Sequence, residues 1–119
     1  MEMRVLVCGS RNWVNEFPIR QCLLSLCPSL VIEGAARGAD SLAAKVARSL
    51  HIPVREFPAQ WEKFGSSAGY RRNLQMLLEG KPDLVVAFPL GVSSGTWNMV
   101  AIARKAGVPV KVFGHGGFK

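Results

Sequence analysis

The apolar residues of this chain fall into short runs of strand length, separated by stretches of helical period. Arg4-Val5-Leu6-Val7-Cys8 is nearly continuous in apolar character and stops at Gly9-Ser10, the pattern of a strand buried on both faces of a parallel sheet. Similar runs follow at Leu30-Val31-Ile32 before Glu33-Gly34, Val54 to Phe57 before Pro58, Leu84 to Phe88 before Pro89, and Val108 to Phe113 before Gly114. Between them, Pro18 suits a first helical turn, and Ile19, Cys22, Leu23 and Leu26 recur at i, i+3, i+4, i+7 until Pro28. Asp40 or Ser41 is placed to cap a second helix, with Leu42, Val46 and Leu50 on one face and Ala43, Ala44 and Ala47 permitting close approach to a sheet. A third helix is predicted from about Ser67 to Glu79, bringing Leu74, Leu77 and Leu78 together, and a fourth from about Gly95 to Lys105 ahead of Gly107 and Pro109. Strict alternation of strand and helix predicts a parallel α/β sheet with right-handed crossovers and helices on both faces.

With 119 residues, 49% of them hydrophobic, the chain has material for one core, so residues 1–119 are expected to form one domain. No apolar run approaches the roughly 20 residues that cross a bilayer, and Met1-Glu2-Met3-Arg4 leads straight into the first strand, not into a signal peptide. Cys8, Cys22 and Cys27 cannot all pair within the chain and show no CxxC spacing, which fits a reduced, cytoplasmic protein without a metal site. Fifteen Lys and Arg against eight Asp and Glu leave a net charge of +7, a field that favours phosphate-bearing partners.

In an open parallel sheet the ligand crevice lies beyond the carboxyl ends of the strands, where the strand order reverses. Three loops at that edge are rich in small residues: Gly9-Ser10-Arg11-Asn12-Trp13, Glu33-Gly34-Ala35-Ala36-Arg37-Gly38-Ala39-Asp40, and Pro89-Leu90-Gly91-Val92-Ser93-Ser94-Gly95-Thr96. Glycines ahead of a helix let the backbone approach an anion, which meets unpaired N–H groups and the positive end of the helix dipole. Small residues also make ligand-free tight turns; three such loops on one edge weigh toward phosphate binding. None carries GxGxxG or the lysine of a P-loop, so a standard dinucleotide fold-mark or kinase-like site is not expected, and no cofactor is called for. Arg11 and Arg72, the latter beside Asn73, offer planar donor forks for an anion, whereas Arg71 reads as a solvated arginine and Arg37 could serve either way. Asp40 reads as a helix cap and Glu33 as an acceptor for a ribose hydroxyl. Trp13, Trp61 and Trp97 fall in or beside these loops, where stacking on a base and packing over the sheet edge are equally natural. The irregular stretch Pro58 to Ser66 reads as a packed flap over the site.

The series Val7-Cys8-Gly9-Ser10-Arg11, Val31 through Ala43, Phe57-Pro58-Ala59-Gln60-Trp61, Ala68 through Met76, and Val86-Ala87-Phe88-Pro89 with Gly95-Thr96 resembles the YspA-like branch of the SLOG superfamily, from about Arg4 to Val112. Relatives in that superfamily include LOG-type phosphoribohydrolases, Smf-type DNA-processing proteins that bind single-stranded DNA, and sensor domains for nucleotide-derived signals. The resemblance implies a Rossmann-like sheet in the order 3-2-1-4-5, a nucleotide-type ligand over the first and fourth strands, and a homo-oligomer, most simply a dimer. It places binding at Gly9, Ser10 and Arg11, at the second loop with Gly34, Ala35, Gly38 and Asp40, at Arg72 and Asn73, and along Pro89, Gly91, Ser93, Ser94, Gly95 and Thr96. One departure stands out. LOG enzymes carry Pro-Gly-Gly-x-Gly-Thr-x-x-Glu, whereas here the loop is two residues longer and Met99 occupies the position of the glutamate. A thioether can act neither as acid nor as base. The expected function is therefore binding of a phosphorylated nucleoside or related ligand in a sensing, carrying or sequestering role. A phosphoribohydrolase using Glu33 or Asp40 is the first alternative. Single-stranded nucleic-acid binding is the second, disfavoured because no basic run is interleaved with aromatics.

Overall fold

A computed structural model describes residues 2–114; Met1 and residues 115–119 of the expected domain lie outside the described residues. Five strands, β1 (Arg4–Gly9), β2 (Leu30–Glu33), β3 (Val54–Glu56), β4 (Leu84–Phe88) and β5 (Val110–Val112), form one parallel sheet in the order β3-β2-β1-β4-β5. Five α-helices accompany them: α1 (Glu16–Leu26), α2 (Ala39–Ser49), the single turn α3 (Trp61–Phe64), α4 (Ala68–Gln75) and α5 (Ser94–Lys105). The expected fold class and strand order are both present. The edge strands are shorter than the apolar runs suggested, although Phe57 N–H still donates to Glu33 O (2.9 Å) and Phe113 N–H to Ala87 O (2.8 Å), continuing each ladder by one bond.

Alternation along the central strands divides the interior in two. Val5, Val7, Val86 and Phe88 face α1 and α2, where Ile19, Leu23, Ala43 and Ala47 complete one core. Leu6, Cys8, Val85 and Ala87 face the opposite layer with Met76, Met99, Val100 and Ala103. Alanines on α2 remove the side-chain bulk that would hold the helix off the sheet, as the pattern anticipated.

Two helix expectations need correction. Asp40 does not cap α2; the cap position is Gly38, at φ +78°, and Asp40 lies inside the first turn with its side chain turned back to the preceding loop. The third helix is α-helical only to Gln75 and continues as a π-helical turn over Met76–Gly80. That wider turn changes which side chains point inward. Met76 is fully buried and Leu77 packs beside it, while Leu74 and Leu78 are exposed, so the three leucines do not form one buried stripe. Among the described residues no helix is long and apolar enough to cross a membrane.

Candidate functional site

The strand order reverses between β1 and β4, and the cleft lies at their carboxyl ends. Its volume is about 400 Å³, and the loop after β1, the helix α4 and the first turn of α5 enclose it. Gly9, Ser10 and Arg11 form one wall, Arg72 and Asn73 another, and Ser93 to Thr96 a third. These sequence-selected residues are brought together. Trp61 also lines the cleft, half-exposed, with the Arg11 guanidinium 5.2 Å from its ring centroid. The Pro58 to Ser66 stretch thus reaches the site through Trp61 and Ser66, folded as a single helical turn and a short 3₁₀ turn.

The two helix N-termini at this edge differ. At α2 the N–H of Ala39 already donates to Ser10 O (3.1 Å), a carbonyl that approaches because Gly38 has no Cβ, so among the described residues only the Asp40 and Ser41 N–H groups of that first turn lack an acceptor. The loop before α2 is likewise occupied by its own acids. Asp40 Oδ2 accepts from Gly34 N–H (3.1 Å) and Ala36 N–H (3.3 Å), and Glu33 Oε1 accepts from Ala35 N–H (2.5 Å), holding Ala35 at φ +60°. The second loop is therefore an internal anion cradle filled by the protein itself, not an open phosphate loop. At α5, by contrast, Ser93 makes no side-chain cap bond to the helix; its hydroxyl pairs with Thr96 Oγ1 at 2.6 Å. Among the described residues the N–H groups of Ser94, Gly95 and Thr96 have no acceptor, and a Cβ on Gly95 would meet open space.

Arg72 is held in place. Nε donates to Asn73 Oδ1 (3.0 Å), and Nη1 donates to the carbonyls of Gly34 and Phe57, leaving Nη2 without a protein acceptor among the described residues. Gly34 makes room for this arrangement: a Cβ there would lie 2.5 Å from Nη1, so the guanidinium would have to shift. Asn73 Nδ2 in turn donates to Gly95 O and Asn98 Oδ1, both at 3.0 Å, tying α4 to the α5 N-terminus. Arg37 lies at the cleft mouth, exposed, donating to Arg11 O and Asn12 Oδ1. Arg71 points away, its Nε on Ser67 and its guanidinium 4.4 Å from the Phe64 ring centroid.

Burial governs the titration of the site. It pushes Asp40 up to about 6 despite the opposing pull of Arg72 and the backbone N–H groups. Burial, with the carboxylate of Glu56 beside it, pushes Glu33 up to about 8. Glu33 is completely buried, its Oε2 without a hydrogen-bond partner among the described residues, and it lines neither the cleft nor the chamber beside it; its place is behind the loop, not against a ribose. Desolvation lowers Arg72 and raises the thiol of Cys8, which lines the cleft, disfavouring the thiolate.

Several other expectations resolve as packing. Trp13 is buried, edge-on to Phe88 (centroids 5.4 Å), with Nε1 donating to Asn15 O at 2.7 Å, so it is core and not a base platform. Trp97 is half-exposed and lines neither chamber of the site. Pro89, Gly91 and Gly38 shape the loops without lining the cleft, whereas Gly34 and Ala35 border an adjoining chamber. Met99 is fully buried among the side chains under β4. Sequence reading missed Ser66, Gly69 and Tyr70, which line the cleft with Asn73. Their i, i+3, i+4, i+7 spacing marks one helical face and was the available signal.

A family model described as the YspA, cpYpsA-related SLOG family matches residues 3–64. The "Gene 61 protein" of Mycobacterium phage D29 is 38% identical over 121 residues, spanning 93% of this chain and 96% of the relative.

Proposed function

The chain belongs to the YspA, cpYpsA-related SLOG family, and from that premise we propose that it binds a phosphorylated nucleoside in this cleft, as a sensing, carrying or sequestering protein. The phosphate sits on the first turn of α5, against Ser10 and Arg11, and Arg72 supplies its remaining Nη2 donor from the opposite wall. The observation that carries this reading is the open first turn of α5: three backbone N–H groups without acceptors, at the positive end of a 12-residue helix, with space in front of Gly95. The loop before α2, filled by Asp40 and Glu33, leaves α5 as the place for an external anion.

Catalysis is the less supported use of the same cleft. Hydrolysis of an N-glycosidic bond needs a proton donor or base at the scissile bond. Asp40 is the one carboxylate lining the cleft among the described residues, and its Oδ2 is engaged by two backbone N–H groups.

Calorimetry and thermal melts of ligand-free protein against nucleoside mono- and diphosphates, ADP-ribose and cyclic dinucleotides test the reading. A ligand that binds only the folded state at about 100 times its Kd raises stability by about 2.7 kcal/mol. Silence from the whole panel refutes nucleotide binding.

A further inference from the structure

The cleft does not end at the arginines. An adjoining chamber of about 350 Å³ shares with it a wall made of Arg11, Ala36, Arg37, Trp61 and Arg72, and none of the α5 residues lines it. Pro58 and Ala59 border this second chamber alone. Each chamber lies near the lower end of the roughly 300–1,000 Å³ typical of small-molecule sites, room for one nucleotide-sized moiety.

The charge is concentrated where the chambers meet. Three of the five shared residues are arginines, and among the described residues none of the three has a carboxylate within ion-pair distance. Asp40 borders the first chamber only, so no acid lines the second. Arginine forks not closed by an ion pair match a phosphate. The half-exposed Trp61 forms part of both walls, with the Arg11 guanidinium over its ring. Two anion positions thus border the first chamber, α5's first turn and the arginine junction, and only the arginines also border the second.

Building on the nucleotide reading above, we propose that the site takes a 5′-phosphorylated dinucleotide unit. The terminal phosphate lies on α5 with Arg72 Nη2 beside it, the first nucleoside fills the first chamber, the linking phosphate lies against Arg11 and Arg37, and the second nucleoside enters the chamber bordered by Pro58 and Ala59. Such a unit exists both as a free dinucleotide and as the 5′ end of a single strand.

Calorimetry with AMP, the 5′-phosphorylated dinucleotide pApA and a longer 5′-phosphorylated oligoadenylate separates these cases. The expected result is pApA binding at least about tenfold tighter than AMP, the worth of one further charge-assisted contact. Ala59→Phe, which fills the second chamber, removes that advantage and leaves AMP affinity unchanged within about twofold. Ala59→Leu, a smaller intrusion, gives the same contrast if the phenylalanine variant melts early. The oligomer matching pApA identifies a strand end as the ligand; the oligomer binding much more weakly identifies the free dinucleotide. Equal affinity for AMP and pApA, or an Ala59→Phe variant that weakens both alike, overturns the two-chamber proposal while nucleotide binding stands. Failure of AMP and pApA alike to bind overturns the two-chamber proposal, and silence from the wider panel above overturns nucleotide binding with it.

Discussion

Asp40→Asn tests whether burial or charge pairing dominates the acidic side of the cleft. Asp40 is only 6% exposed, and its proton affinity is raised from an ordinary 3.8 to about 6, with burial as the largest cause and Arg72 as the main opposing one. A raised folded-state value means that the fold favours the protonated acid. The stabilisation is complete below about pH 3.8 and is lost as the pH rises to about 6, beyond which the penalty for the ionised group is constant. Two pH units at about 1.36 kcal/mol each set that penalty at about 3 kcal/mol. Asparagine retains an oxygen that can accept from Gly34 and Ala36 N–H, and it carries no charge to desolvate. The variant should match wild type near pH 4 and exceed it increasingly up to pH 6–7, by roughly 10 °C in Tm for a domain of this size. Urea unfolding from pH 4 to 8 supplies the free energies, provided the slope m is unchanged between the two proteins. A variant less stable than wild type at pH 7.5 would refute the reasoning and make attraction between Asp40 and Arg72 the larger effect.

Arg72→Ala should lower both stability and phosphate affinity, since it removes hydrogen bonds from a charged donor to the Gly34 and Phe57 carbonyls, each typically worth about 1.5–3 kcal/mol; chemical denaturation with calorimetry separates the two losses, and a variant with wild-type stability contradicts the tether. Arg11→Ala is the cleaner binding probe: Arg11 is exposed and stacked on Trp61, so stability should change by no more than about 1 kcal/mol while affinity for a nucleoside phosphate falls, and unchanged calorimetric affinity removes Arg11 from the site. Met99→Glu should fail to install hydrolysis and should destabilise by about 3–5 kcal/mol, because it places an unpaired carboxylate in the core; a variant of wild-type Tm that releases base from a nucleoside monophosphate in a chromatographic assay would show that position 99 reaches the cleft after all.

The sheet was legible because strands buried on both faces must be apolar at successive positions, and Val5 to Cys8 and Leu84 to Phe88 are. The edge runs were read as longer than the strands are, because Val108, Phe57 and Phe113 continue the apolar character beyond Val110–Val112 and Val54–Glu56. The third helix misled because Leu74, Leu77 and Leu78 fit an α-helical stripe, and nothing local in the sequence announces that the backbone switches to a π turn at Met76. Arg11, Arg72, Asn73 and the Ser93 to Thr96 loop were found by combining donor chemistry with the rule for strand ends, which needs only topology.

What spacing could not settle was which carboxylates and aromatics turn inward. Glu33 and Asp40 flank a glycine loop and read equally as ligand contacts or caps; their assignment depends on Ala35 adopting a left-handed conformation that folds the loop's N–H groups onto them. Once those groups are taken, the apparent symmetry of three small-residue loops disappears. An anion arriving at the α2 end finds Asp40, mostly ionised at neutral pH, already in the cradle. One arriving at α5 finds open N–H groups, and Arg72 has donors to spare only because Gly34 lets it lie against the filled loop. The acidic loop therefore contributes to phosphate recognition indirectly, by orienting the arginine that faces the empty helix end.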